Sequence, residues 1–443
     1  MSDTTPAPPA AWPLVALFTA GYVAPYLLPT VVGRLDAHLP LSPAQAGLVG
    51  TALLLGSATA GFTLASRIPR RGPRPLARLG LLLAVLGYGT AASTTLLPLV
   101  VAGVVVGGFG SGSATAVAAA GIAGHRDPHR MSSLGLLSVS ATAGALYLTL
   151  PHLGGGHGLP FAAIALVAAL AWPATGRLGG ATRPGPAAVR SSGRPPYPRA
   201  GAVLAGCLLL WSLTQEALWG VSGRIGTDQA GLSEATLGVV FAVALGAGLL
   251  GVTGASAFGT RLGRAVPIGA GTAAIAGCVV LTASADGLAA FAAGEVLWNA
   301  VYPVVLSYVI GLAAALDPRG RWAVFAGAAS SLGTACGPVV GSLLAEAFGL
   351  PGMGLVLGGL LLAVAGPLTA VAVHAGRGPA AAATATATAG EPVLRGEVAA
   401  PAPGPGTGPA ADAPVRVRRT PRRILLLTPT AARTRRAAAK ERL

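Results

Sequence analysis

Residues 65–78 read ASRIPRRGPRPLAR, five arginines in fourteen positions, between QAGLVGTALLLGSATAGFTL (45–64) and LGLLLAVLGYGTAAS (79–93). On a soluble protein such a basic cluster would first suggest a nucleic-acid surface. The flanks argue otherwise. Neither contains a charge, and about 20 apolar residues in a helix cross a hydrocarbon layer of ~30 Å. The arginines therefore sit in a short loop between two membrane spans.

The same pattern fills most of the chain. Of its 443 residues, 53% are hydrophobic and 10% charged, against roughly 25% charged in soluble domains. Twelve apolar runs follow one another: 12–32, 43–65, 79–96, 97–120, 132–151, 158–174, 200–221, 235–259, 265–284, 288–313, 323–347 and 353–374. The expected fold class is an all-α polytopic membrane protein with twelve transmembrane helices. All 30 Lys and Arg residues lie outside these runs. With the amino terminus inside, 28 fall in cytoplasmic loops and the tail, and Arg34 and Arg224 alone fall outside. Excess basic residues mark the cytoplasmic side. Both termini are thus expected in the cytoplasm, in the plasma membrane of an Arg-rich bacterial proteome, and no nucleic-acid partner is expected. No basic segment precedes the first run, so no cleavable signal peptide is expected.

Residues 175–199, rich in Pro, Gly and Arg, divide the runs six and six. Three short signatures recur across that divide. LSPAQAGLV at 41–49 matches LSEATLGVV at 232–240, RDPHR at 126–130 matches LDPRGR at 316–321, and SRIPRR at 66–71 matches TRLGRA at 260–265. Offsets of 190 to 194 at equivalent loops indicate two pseudo-symmetric six-helix halves. The expected organisation is a cytoplasmic segment 1–11, a first half 12–174, a cytoplasmic linker 175–199, a second half 200–374 and a basic cytoplasmic tail 375–443. The tail, low in complexity with ten basic residues from Arg416 to Arg442, is expected to be disordered and to meet anionic lipid.

This pattern resembles the major facilitator superfamily over residues 12–374. The family's loop signature between spans two and three, Gly-x-Leu-x-Asp-Arg-x-Gly-Arg-Arg, is similar to FTLASRIPRR, with Leu64, Arg67, Arg70 and Arg71 kept, Ser66 at the acidic position and Pro69 at the glycine before the last two arginines. The second half keeps Arg261, Gly263 and Arg264, with Thr260 at that position. The resemblance implies that Ser66, Arg67, Arg70, Arg71, Thr260, Arg261 and Arg264 form cytoplasmic gate loops. Because the acidic residue is missing, an electrostatic latch there is not expected. VVVGGFGSGS matches the family's glycine stretch at Gly108, Gly110 and Gly112, but Val104 replaces its arginine. CGPVVG at 336–341 offers a Gly-Pro bend.

The chemistry points inward. Glu216 and Glu295 lie within spans seven and ten, and no span holds a basic residue to pair with them. Intramembrane ionisable groups are expensive and usually functional. Such carboxyls must be protonated, contact water or await a cation. Glu295, Trp298, Asn299 and Tyr302 follow i, i+3, i+4, i+7 spacing and so share a helical face. Trp211, Gln215 and Trp219 form a stripe beside Glu216, and Tyr22, Tyr26 and Pro29 a third on span one. The resemblance implies that spans one, four, seven and ten line a central cavity. Its expected lining is Tyr22, Tyr26, Gln215, Glu216, Trp219, Glu295, Trp298, Asn299 and Tyr302, with Glu295 and Glu216 as proton-coupling groups. Aromatic walls with unpaired carboxyls suit an amphipathic organic molecule, a cation included. Trp12, Trp322 and Tyr308 read as interfacial anchors, and His152 and His157 as surface residues.

Other classes find no support. There is no Walker loop, HExxH or GxSxG motif, so neither ATP drive nor enzyme chemistry is expected. Cys207, Cys278 and Cys336 lie singly inside spans and read as reduced packing residues, with no metal or other cofactor expected. The expectation is a monomeric secondary transporter moving a small organic solute by alternating access, with proton-coupled efflux of a drug-like or secondary metabolite first. Nutrient uptake or facilitated diffusion comes second, and a membrane sensor or enzyme is remote.

Overall fold

A computed structural model describes residues 11–64, 67–178, 196–258, 263–317 and 319–376. The helices are α1 (Trp12–Tyr26), α2 (Leu28–His38), α3 (Pro43–Leu64), the short α4 (Ile68–Arg71), α5 (Pro73–Ser93), α6 (Leu97–Ala123), α7 (Pro128–Thr149), α8 (Gly158–Ala171), α9 (Pro198–Arg224), α10 (Glu234–Phe258), α11 (Ala265–Ala283), α12 (Leu288–Leu316) and α13 (Arg321–Gly376). Among the described residues there is no strand.

Ten of these segments are long and apolar enough to span a membrane, and the bent pair α1–α2 makes an eleventh. The 56-residue α13 leaves helical geometry at Gly349 (φ 72°, ψ 170°), which splits it into limbs 321–348 and 350–376. Twelve crossings result. Outward-facing Leu170, Leu250 and Val324 are more than 70% exposed, as lipid-facing side chains should be. This is a multi-pass membrane protein.

The first crossing runs further than hydropathy suggests. Pro25 and Pro29 bracket a 45° break at Leu27, and the helix resumes as α2 to His38. Each proline removes a backbone donor, so the axis turns there. Arg34, read from sequence as an outer-loop residue, is instead in α2 and 4% exposed. The break in α13 falls at Gly349, between the apolar runs 323–347 and 353–374, where glycine tolerates the positive φ, and Pro338 lies inside the first limb.

Two of the three recurring signatures turn out to be helix starts. At α3, the Ser42 Oγ accepts from Gln45 N at 3.3 Å and Gln45 Oε1 accepts from Ser42 N at 2.9 Å, a reciprocal cap. At α10, Ser233 Oγ accepts from Thr236 N at 3.2 Å. Asp127 opens α7 by accepting from Arg130 N at 3.0 Å. Asp317 precedes α13, accepting from Arg319 N at 3.1 Å and from the Arg321 guanidinium at 2.7 Å. That guanidinium bond, chiefly, holds the Asp317 carboxyl below the usual carboxylate range.

Packing then sets the bundle. In the glycine stretch of α6, an added Cβ at Gly108 or Gly112 would come within 2.3 Å of Leu53 O or 2.1 Å of Ser57 O on α3. At Gly110 it would reach 2.3 Å from Ala84 N on α5. The stretch is a close-approach seam, in which small residues let backbones meet. α6 packs on α1, α3 and α5, while α13 packs on α9, α11 and α12 and α10 on α12. Contacts α7–α10, α3–α13 and α2–α9 join these groups.

Candidate functional site

Where the groups meet, α1, α3, α6, α7, α9, α10, α12 and α13 surround a cavity of about 1060 Å³. It runs from Pro25, Trp219 and Trp298 towards Phe62, Ile68 and Ile310, the last end being near the Arg67–Arg71 turn. Spans two, five, eight and eleven thus line it beside the expected one, four, seven and ten. Tyr22, Tyr26, Gln215, Glu216, Trp219, Trp298, Asn299 and Tyr302 all reach its wall.

The aromatic residues hold one another. Trp211 stacks on Tyr302 at 5.0 Å between centroids, from behind the wall, and Trp219 meets Trp298 at 5.7 Å. Trp298 Nε1 donates to Gln215 Oε1, tying α12 to α9. Trp219 Nε1 donates to Pro25 O at 3.1 Å, tying α9 to the proline break of α1. Tyr147 OH donates to Tyr26 O at 2.6 Å. The indoles and the break together close the upper end of the cavity.

The two glutamates are not equivalent. Glu216 lines the cavity, and its Oε2 is buried with no hydrogen-bond partner among the described residues. Gly337 lets α13 approach α9 closely here, since an added Cβ would lie 2.4 Å from the Glu216 Cβ. Glu295 does not line the cavity. It is fully buried, and its Oε1 accepts from Ser222 Oγ at 2.6 Å while Oε2 has no partner among the described residues. The reason is helix rise. Seven residues at ~1.5 Å each put Glu295 about 10 Å above Tyr302, and the cavity ends at Trp298. The shared face was legible in the spacing; the height of the cavity roof was not.

Above this roof the bundle is shut by polar contacts that sequence reading did not anticipate. Arg34 donates to Gly154 O and Gly155 O at 3.1 Å each, to Leu150 O at 3.4 Å and to Glu234 Oε2 at 2.7 Å. Arg224 lies 3.1 Å from Asp36 and 3.7 Å from Asp228. Glu346 Oε1 accepts from Ala44 N at 2.7 Å, a carboxylate at the first turn of α3, where the helix dipole favours it. The Arg34–Glu234, Arg224–Asp36 and Glu346–Ala44 contacts each link helices before residue 174 to helices after 200. The only sequence signal was that Arg34 and Arg224 are the two basic residues on their side.

Several expectations fall elsewhere. Arg67, Arg70, Arg71 and Arg264 are exposed at the opposite end, while Ser66, Thr260 and Arg261 lie outside the described residues, as does most of the tail. His157 is buried with its Nε2 2.9 Å from Thr94 O, not on the surface. Trp322 is buried as well, donating to Pro196 O at 2.7 Å. Both sit at helix junctions, where an unpaired backbone carbonyl needs a donor. A second hollow of about 700 Å³, between α11 and the second limb of α13, carries no acid and no Trp or Tyr on its wall. Among the described residues no group of three His, Cys, Asp or Glu side chains could hold a metal ion.

No protein-family model matches the chain, and no curated protein matches it by sequence. Solved structures do. The human organic anion transporter MFSD10 (TETRAN) superposes at a TM-score of 0.60 with 18% identity, over 81% of this chain and 98% of that one. A bacterial homolog of the human lysosomal transporter Spinster, inward-facing and unoccupied, gives 0.60 with 16% identity over 82% and 93%. A D-xylose–proton symporter gives 0.65 with 16% identity over 81% and 96%. With its broken first crossing, twelve crossings and central cavity, and with these likenesses, the chain has the major facilitator superfamily fold.

Proposed function

We propose that this chain is a secondary active transporter that exports a small, drug-like organic solute in exchange for protons. The observation that carries the reading is a cavity of drug-sized volume, with an unpaired carboxyl in its wall, bolted shut at one end and reaching towards the other. Cavities of about 300–1,000 Å³ take drug-sized ligands. The loop-charge rule puts the bolted end outside and both termini in the cytoplasm, so this state would receive solute from the cytoplasm. Opening the bolts while closing the lower end completes alternating access around the cavity. One of the similar structures is, by its name, a proton symporter, so proton coupling is compatible with the fold. Glu295, sealed from solute by Trp298 and held by Ser222, is assigned the coupling proton. A monomer in the plasma membrane suffices, since each chain encloses its own cavity. Facilitated diffusion is the second reading, favoured by Val104 in place of the family's span-four arginine.

The test uses purified chain in proteoliposomes, with accumulation driven by a pH gradient set against solute exchange without one. Glu295→Gln imitates the protonated carboxyl, so gradient-driven accumulation should be lost while exchange persists. Full accumulation by this variant would remove Glu295 from the mechanism. Wild-type exchange without any gradient-driven accumulation would favour the facilitator.

A further inference from the structure

Glu216 on the cavity wall and Glu295 buried above it divide solute from proton, and the division specifies the solute's charge. We infer that the solute is a monovalent organic cation whose charge sits against Glu216; the inference rests on the transport reading above. Among the described residues lining the cavity there is no Lys, Arg, His or Asp, and Glu216 is the one acid. Everything else polar on the wall is a hydroxyl or an amide, such as Thr115, Ser140, Gln215 and Asn299.

An ionised carboxylate without a counter-charge is costly where one of its oxygens is shut off from solvent. Among the described residues the wall supplies no cation, so either a proton or the solute must. An anionic solute would meet repulsion from Glu216 and find no donor cation. A dication would leave its second charge unpaired, because Glu295 lies beyond the Trp298 roof and is engaged by Ser222. One positive charge is what the cavity can neutralise.

Shape points the same way. Glu216 lies on the cavity wall, beside the close approach of α13 that Gly337 permits. Tyr26 and Tyr302 share the cavity wall with it. Tyr22, Trp219 and Trp298 complete an aromatic wall. Ring faces attract organic cations and tolerate varied apolar bodies, so the wall would select charge more strongly than outline.

The experiment uses three probes with one triphenylphosphorus body and three charges. Methyltriphenylphosphonium is a permanent cation, triphenylphosphine oxide is neutral, and triphenylphosphine monosulfonate is an anion. Each is titrated calorimetrically into the full-length chain in detergent, with no gradient. The phosphonium should bind at one per chain and at least tenfold tighter than the oxide, with the sulfonate weakest. Glu216→Gln should weaken phosphonium binding at least tenfold and change oxide binding less than threefold, which also shows that the variant is folded. Glu216→Asp, which keeps the charge, should recover most of the phosphonium affinity. Equal binding of the three probes, no saturable phosphonium binding, or unchanged phosphonium affinity in Glu216→Gln would each overturn the inference. Because binding is read without a gradient, charge selectivity and proton coupling fail separately.

Discussion

Glu234→Ala removes one bolt from the closed end and leaves its counterpart in place. Arg34 keeps its three carbonyl partners at Leu150, Gly154 and Gly155, all within the first group of helices. What is lost is the crossing to α10, a 2.7 Å charge-assisted contact from a guanidinium 5% exposed to a carboxylate 49% exposed. A hydrogen bond to a charged group contributes about 1.5–3 kcal/mol when buried, and an exposed ion pair about 0.2–1. The half-exposed carboxylate places this bond between those limits, at roughly 1–2 kcal/mol, or a factor of about 5–30 in the closed-to-open ratio. Asp36→Ala should act similarly, since Arg224 and Asp36 are 16% and 19% exposed. Spin labels at Leu153→Cys and Asp286→Cys, exposed sites on the two groups, report the separation by double electron–electron resonance once Cys207, Cys278 and Cys336 are replaced by Ala. Wild type should show one short distance, and Glu234→Ala a second, longer population. An unchanged distribution in both variants would refute the idea that these ion pairs hold that end closed.

The remaining expectations concern sidedness and packing. Arg71→Cys should be labelled by an impermeant thiol reagent in inverted vesicles and not in intact cells. Arg71 is exposed and tolerates substitution better than neighbouring Gly72, whose φ of 81° disfavours any side chain. Labelling from outside would reverse the topology. Gly112→Ala would press a methyl to 2.1 Å from Ser57 O, and backbone cannot yield as a side chain does. Overpacking of this kind costs about 1–3 kcal/mol, so the melting temperature of the purified protein should fall. An unaltered melting temperature would mean that α3 and α6 are not held at this seam.

Much of this protein was decided locally, and so was readable in its sequence. Apolar run length determined the crossings, and the loop signatures 41–49 with 232–240 and 126–130 with 316–321 marked helix starts. A hydrophobic span and an N-cap depend on neighbouring residues alone. The i, i+3, i+4, i+7 spacing put Trp298, Asn299 and Tyr302 on one face for the same reason. Tertiary structure decided the rest. Arg34 meets Glu234 across 200 positions, Ser222 meets Glu295 across 73, and Trp219 caps the cavity by reaching Pro25 across 194. No periodicity within a helix encodes such partners, because they depend on how helices are set side by side and at what height. That is why two glutamates that look alike in sequence differ in the fold, Glu216 facing the cavity and Glu295 sealed above it.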